Sequence, residues 1–482
     1  MRDFDAGTRL KAGRGDITKT GKQMSMTIPA SAVHAGPRLD RLPVSAFHRR
    51  VMTLIGIGMF FDGFDIYIAA TVLGATVKSG FSTIGQNAQF VSATFFGMML
   101  GALLTGFLGD RYGRRFTYQF NLALFGGASL LAAMAPNMTV LILLRFVMGF
   151  GLGAENVVGY ATLTEFVPPA TRGRWLGFMA VIVVTGLPVS ALLGWLIVPA
   201  FGWRAMFVLG GIGALFLWRL RKALPESPRW LEAVGRTEEA EALVARIEAE
   251  ASGGRALPPV VVDSAPAPSR SVATLFAPPL LSRMIVGCVC LIVINTLLYG
   301  FITWLPTFFV KQGLSIATSF GYALLMAIGA PIGSAIGALT ADRWGRKKTI
   351  VGAALLSMLF GAIYPFVSDP VLLPIAGFAL TVPIYVLVAL LFAIYIPELF
   401  PTEVRLRAAG ICNTVGRGAT VLTPFLVVPL FTQYGVGGVL SLMIGLLAVM
   451  ALVVGTLGIE PGRRGLEEIQ AEAEQPALPV RV

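Results

Sequence analysis

Gly109-Asp110-Arg111-Tyr112-Gly113-Arg114-Arg115 stands between two long apolar runs, and Ala341-Asp342-Arg343-Trp344-Gly345-Arg346-Lys347-Lys348 stands between two more. A short acidic-then-basic turn between hydrophobic helices belongs at a membrane surface, and its arginines and lysines assign that surface to the cytoplasm. Asp342 follows Asp110 by 232 positions. A second pair has nearly the same offset. Glu165-Phe166-Val167-Pro168-Pro169-Ala170-Thr171-Arg172 and Glu398-Leu399-Phe400-Pro401-Thr402-Glu403-Val404-Arg405 both read Glu-x-x-Pro-x-x-x-Arg, 233 apart. Two motifs repeated at one spacing imply two homologous halves, and in such parallel repeats the ligand site lies near the midplane between them.

The rest of the chain agrees. Of its 482 residues 55% are hydrophobic and 13% charged, with mean hydropathy +0.76, where a soluble protein carries about a quarter charged residues. The charges are clustered, leaving apolar windows of about 20 residues, the length that spans a bilayer as a helix. Twelve spans are expected: 51–77, 88–109, 116–135, 139–164, 174–199, 204–222, 281–310, 318–341, 349–367, 371–396, 408–431 and 436–458. The fold class is an all-α polytopic membrane protein, twelve transmembrane helices in two pseudo-symmetric six-helix bundles. The expected organisation is a cytoplasmic tail (1–50), a first bundle (51–222), a central cytoplasmic loop (223–280), a second bundle (281–459) and a C-terminal cytoplasmic tail (460–482).

The N-terminal tail is polar, shows no apolar core of signal-peptide type before Val51, and reads as disordered; Met24 and Met26 are alternative starts. Thr237 to Ala251 reads as an amphipathic surface helix, and Leu257 to Pro268 as a linker. The net charge of +12 reflects topology rather than a nucleic-acid partner: 33 of 38 Lys and Arg fall in segments assigned to the cytoplasm. Lys78, Arg204 and Lys311 fall on the other side, and Arg145 and Arg417 lie inside apolar runs. There is no Gly-x-x-x-x-Gly-Lys-Ser/Thr phosphate loop, no metal-ligand cluster and no nucleophile–base set, so no cofactor, metal, ATP or enzymatic activity is expected.

Ionisable groups inside a bilayer are costly and each calls for a reason. Asp62 and Asp65 are three apart and point to nearly one face of a helix. Two such carboxylates resist joint ionisation, so one can carry a proton at neutral pH. The plainer alternative is a water-filled mouth or a permanent pair. Arg145 precedes Gly149 and Gly153, which admit a close neighbouring helix, and its guanidinium stays charged. Glu155, about 15 Å further along that helix, is expected near the outer mouth of a cavity, with packing and substrate roles equally weighted. Arg417 stands between Gly416 and Gly418, and its counterpart in the first half is Val184, so the common scaffold does not require it. It wants an anion: a substrate carboxylate held by the guanidinium fork, or Asp62 or Asp65. Asn295, the counterpart of Asp62, offers a neutral hydrogen-bonding group. Tyr67, Tyr299, Trp304 and Tyr385 are candidates to line an aromatic-accepting cavity, with core packing the commoner reading for any one of them. Asp110, Arg111, Arg114, Asp342, Arg343 and Arg346 are gate candidates, with Glu165, Arg172, Glu398 and Arg405 completing each network. A merely topogenic basic loop would explain the arginines but not the aspartates.

With these residues in view, positions 51–460 resemble the major facilitator superfamily of transporters, of which the repeated loop motif is the hallmark. Pro225-Glu226-Ser227-Pro228-Arg229-Trp230-Leu231 and Arg145-x-x-x-Gly149-x-x-x-Gly153 resemble its sugar-porter branch. Asp62-Gly63-Phe64-Asp65 resembles the Asp-Gly-x-Asp signature of aromatic-acid:proton symporters. Arg417-Gly418-Ala419 is similar to a stretch in those symporters and in nicotinate and organic-anion transporters. The resemblance implies alternating access in the plasma membrane by a monomer, proton-coupled uptake of a small organic anion such as an aromatic or heteroaromatic carboxylate, and Asp65 as the partner of Arg145. Val293 to Gly300 lacks the paired glutamines of sugar porters, and Ile459-Glu460-Pro461-Gly462-Arg463 only faintly echoes their Pro-Glu-Thr-Lys-Gly stretch. Gly186-Leu187-Pro188 with Gly194 is only a weak form of the drug-antiporter motif, which argues against antiport. Sugar or other metabolite:proton symport is the alternative, and a transporter-like membrane sensor is less expected from so short a C-terminal tail.

Overall fold

A computed structural model describes residues 33–260, 272–278, 280–400 and 404–460, and every regular element among them is helical. A short α1 (Ala35–Asp40) precedes six long helices: α2 (Ala46–Lys78), α3 (Ile84–Tyr112), α4 (Arg114–Ala133), α5 (Met138–Phe166), α6 (Pro169–Phe201) and α7 (Arg204–Leu220). The central segment forms α8 (Pro228–Ala233) and α9 (Thr237–Ser252). The second half opens with α10 (Leu280–Gly300), which continues through a 3-10 turn at Ile302–Trp304 into α11 (Leu305–Lys311). It goes on with α12 (Ile316–Trp344), α13 (Arg346–Ile363), and α14 (Leu372–Ala389), which passes through a π turn at Leu390–Tyr395 into α15 (Ile396–Glu398). The last run, α16 (Arg405–Leu457), holds two spans, because Gly435 breaks its helical geometry at φ 64° and ψ −157°.

Nine helical runs among the described residues are long and apolar enough to cross a membrane. Two spans fall short of that measure: α4, whose first turns hold Arg114, Arg115, Gln119 and Asn121, and α7, with 17 residues. With these two, and α16 divided at Gly435, the described spans number the twelve expected from the sequence. The first begins at Ala46 rather than Val51.

The pairing of helices repeats. In the first half α2 packs on α6, α3 on α5, and α4 on α5 and α7; in the second α10 packs on α16, α12 on α14, and α13 on α14 and α16. The halves meet where α3 lies against α16 and α6 against α12. These contacts exchange when one half is mapped on the other, so the halves are related by a pseudo-twofold axis. At the face opposite the basic loops, α2 also packs on α11. The α3–α5 contact depends on glycine. A Cβ on Gly149 or Gly153 would overlap the backbone oxygen of Thr94 or Met98, and one on Gly97 or Gly101 would overlap that of Phe146 or Phe150. Small residues let two membrane helices approach backbone to backbone.

The expectation of a disordered N-terminal tail fails for residues 33–45. Val33 and Ala35 share an apolar cluster with Trp230, Leu231, Ala240 and Val244 of α8 and α9. The backbone N–H groups of His34 and Ala35 donate to the Glu232 carboxylate at 2.8 and 2.9 Å. Arg38 pairs with Glu241 at 2.5 Å and with Glu248 at 2.7 Å, and Arg41 pairs with Glu248 at 2.6 Å. Composition read locally sees a basic polar stretch; the acidic face that orders it comes from about 200 residues later in the chain. The amphipathic helix expected at 237–251 is α9, which buries Ala240, Val244, Ile247 and Ala251. Much of the expected linker and nearly all of the C-terminal tail lie outside the described residues.

Candidate functional site

Two buried ion pairs occupy the first half. Arg145 of α5 and Asp65 of α2 are both fully buried, with Arg145 Nη1 2.5 Å from Asp65 Oδ2. Arg145 Nη2 donates to the Asp65 carbonyl at 3.0 Å, its Nε donates to Thr94 Oγ1 at 3.0 Å, and its guanidinium lies 5.3 Å from the Phe90 ring centre. The close α3–α5 packing brings Thr94 into reach.

The second pair was not foreseen. Arg221, counted from sequence among the cytoplasmic charges, is buried and ion-paired with Glu155. Its Nε and Nη2 donate to the carbonyls of Leu54 and Ile55 at 3.2 and 3.1 Å, and its guanidinium lies 4.6 Å from the Tyr118 ring centre. Gly58 leaves the space it fills, since a Cβ there would overlap the guanidinium. Glu155 therefore does not lie near an outer mouth. The fifth helix runs from the opposite face at Met138 to the basic-loop face at Phe166, so ten residues beyond Arg145 leads toward the basic loops. Asp62 is buried near this second pair as well as near Asp65. The charges nearest to it are Glu155, Arg221 and Asp65, and its buried Oδ2 has no hydrogen-bond partner.

Arg417 is different. It is half-buried in α16 near Tyr299 and has no hydrogen bond or carboxylate partner among the described residues. Asn295 of α10 packs against Gly416, the neighbour of Arg417, and its amide donates to the Leu291 carbonyl at 2.7 Å. Across the seam between the halves, Tyr299 packs on Phe95 with centroids 4.2 Å apart, and Ser92 Oγ donates to the Val421 carbonyl at 2.7 Å. Tyr67 and Tyr385 join hydroxyls across the seam at 3.1 Å. Tyr67 also borders a void of only ≈ 20 Å³ near the opposite face, too small for an organic ligand. Trp304 is buried against Phe308.

At the basic loops the two halves build the same network. Arg114 binds Glu165 through Nε and Nη2 at 3.1 and 2.9 Å, and its Nη1 donates to the Gly109 carbonyl at 2.8 Å. Arg346 binds Glu398 through Nε and Nη2 at 2.9 and 3.1 Å, and its Nη1 donates to the Ala341 carbonyl at 3.3 Å. Gly113 and Gly345 turn the chain at φ 90° and 88°, a region that other residues rarely adopt. Sequence reasoning missed two members. Glu226 accepts from the backbone N–H of Arg114 at 2.9 Å, and Glu460 from that of Arg346 at 2.7 Å. Each acid caps the helix that follows its loop, where free N–H groups favour a negative charge. The signal was present in Pro225-Glu226 and in Ile459-Glu460, which repeat at offset 234.

Arg172 approaches Asp40 of the docked N-terminal segment at 3.5 Å. Arg229 joins them, bonding Asp40 Oδ1 at 2.7 Å and the Glu165 carbonyl at 3.1 Å. Arg111 and Arg343 are exposed without a carboxylate partner among the described residues, Arg111 lying 5.6 Å from the Tyr112 ring centre. The side chains of Asp110, Asp342 and Arg405 lie outside the described residues.

The model of the family described as "Sugar (and other) transporter" matches residues 51–473. The chain belongs to this transporter family. Among its relatives, the inner membrane metabolite transport protein YdjE of Escherichia coli is 38% identical over 90% of this chain and 98% of its own length. The niacin transporter NiaP of Acinetobacter baylyi is 31% identical over 90% and 98%. The E. coli xylose transporter XylE, solved in a partially occluded inward-open conformation, shares the fold with TM-score 0.69 at 17% identity, over 86% of this chain and 99% of its own. This family member is thus a multi-pass membrane transporter of the major facilitator superfamily.

Proposed function

We propose that this transporter takes up a small organic anion, an aromatic or heteroaromatic carboxylate, together with a proton, by alternating access across the inner membrane with both termini in the cytoplasm. The observation that carries the reading is Arg417. Its guanidinium stands at the seam between the halves without a carboxylate partner among the described residues, while Arg145 and Arg221 each have one. A charge held inside a membrane protein and left unpaired is matched by a ligand of opposite sign, and a guanidinium fork suits a carboxylate bound through two parallel hydrogen bonds. Tyr299 and Asn295 lie within reach of such a ligand. The niacin transporter among the relatives is named for a heteroaromatic carboxylate.

Asp65 is the coupling carboxylate in this reading: protonation neutralises it and releases Arg145, and Asp62 is a second proton acceptor. Residues 51–222 and 281–459 move as two bodies, and the Arg114–Glu165–Glu226 and Arg346–Glu398–Glu460 networks, with Asp110 and Asp342, act as the cytoplasmic gate.

The test is uptake into proteoliposomes under an imposed pH gradient, with nicotinate, benzoate, nicotinamide and xylose as probes. The expected outcome is carboxylate uptake driven by an inward proton gradient, nearly abolished by Arg417→Gln and poorly restored by Arg417→Lys, which keeps the charge but loses the fork. Equal losses for nicotinate and nicotinamide would make Arg417 a helix tether. Uptake of xylose alone would replace the carboxylate reading with sugar symport.

A further inference from the structure

On the basic-loop side of the first half, α4, the end of α7, α8 and α9 enclose an open groove of about 900 Å³. Leu224, Leu231 and Leu243 give it apolar walls, and Arg115, Lys222, Arg236 and Arg246 border it. Its acids are already engaged. Glu226 accepts from the backbone N–H groups of Arg114, Arg115 and Ser227 at 2.9 to 3.3 Å. Glu239 binds Arg236 through two bonds of 2.7 and 2.6 Å. The Arg115 guanidinium donates to the Lys222 carbonyl at 3.1 Å, and Lys222 sits 4.1 Å from the Trp218 ring centre. Among the described residues Arg115, Lys222 and Arg246 have no carboxylate partner. Gln119 borders the same groove, and neither atom of its side-chain amide has a hydrogen-bond partner.

The groove opens onto the flank of a membrane helix. Tyr112, Phe116 and Phe120 run from the loop down α4 as successive ring contacts, with centroids 5.2 and 6.2 Å apart. All three rings are 42% to 49% exposed on a span, so they face acyl chains. Tyr and Trp at this level mark the headgroup region. Cations at the headgroup level beside an apolar strip that descends into the bilayer match a phosphodiester with acyl chains; a soluble phosphate would leave the strip unused.

We propose that this groove binds an anionic phospholipid, its phosphate held by Arg115, Lys222 and Arg246 and its chains lying along Tyr112, Phe116 and Phe120. The site rests on the membrane fold alone, so it stands or falls separately from the substrate assignment. The test is native mass spectrometry of the full chain after exposure to equimolar phosphatidylglycerol and phosphatidylcholine. Wild type should retain phosphatidylglycerol preferentially, and the preference should disappear in Lys222→Gln/Arg246→Gln. Arg246→Gln alone, on the exposed side of α9 outside the membrane, should lower it without disturbing the fold. Excess inorganic phosphate should not displace the lipid. No preference in wild type, an unchanged preference in either variant, or full displacement by inorganic phosphate would each overturn the proposal.

Discussion

The guanidinium groups of Arg145, Arg221 and Arg417 have different surroundings, and these separate their roles. Arg145 and Arg221 are buried with Asp65 and Glu155; Arg417 is half-buried and has no carboxylate partner among the described residues. Asp65→Asn keeps the shape of the acid but cannot ionise. In proteoliposomes it should abolish accumulation driven by a proton gradient and leave some substrate exchange. Accumulation against a gradient by this variant would remove Asp65 from coupling. For Arg221, removing one partner of a buried ion pair costs about 3–5 kcal/mol, whereas removing both costs far less. Arg221→Met should therefore lower thermal stability strongly, and Arg221→Met/Glu155→Leu should recover most of the loss. Arg145 and Arg417 were visible in the sequence because they interrupt apolar runs. Arg221 was not: it ends a run, beside Lys222, where an arginine ordinarily reaches headgroups. Only the notch at Gly58, on a helix far away in sequence, shows that it turns inward.

Among the elements, two contacts invite direct tests. The α3–α5 seam has no room for a side chain at Gly153, so Gly153→Leu should destabilise the protein by about 3 kcal/mol or prevent its assembly, read as a lowered Tm in detergent. The docking of α1 on α9 depends on charge. Bonding to Arg38 holds the Glu248 carboxyl below its usual range. A carboxyl depressed in the folded state contributes stability above its unfolded pKa, and the contribution is lost as pH falls through the folded value. The segment around residues 33–45 should therefore be protected from protease at neutral pH and cut increasingly as the medium becomes strongly acidic. Glu248→Gln should expose it already at neutral pH. The amphipathic period of α9 was legible from sequence; its partner was not, because neither segment carries any local sign of the other.

For the whole molecule, duplication is the governing fact. Glu226 and Glu460 hold corresponding helix starts in the two halves. Glu226→Ala and Glu460→Ala should each cost about 1 kcal/mol, and the double variant should show nearly their sum because the sites share no partner. A large excess in the double variant would mean that the two loop networks are coupled through the seam. The sequence by itself determined the fold class, the spans and the repeat, since these follow from apolar length, charge clustering and motif spacing, all properties of the chain read in order. What tertiary structure alone decided was which charges meet. Asp65 pairs with Arg145, while Asp62, three residues before it, lies in the field of the Glu155–Arg221 pair. Arg172 finds Asp40 of the N-terminal segment, more than a hundred residues before it. The direction of α5 sets Glu155 toward the basic loops. Charge pairing in a membrane bundle depends on the relative depth and rotation of helices, and glycine contacts between distant segments set both.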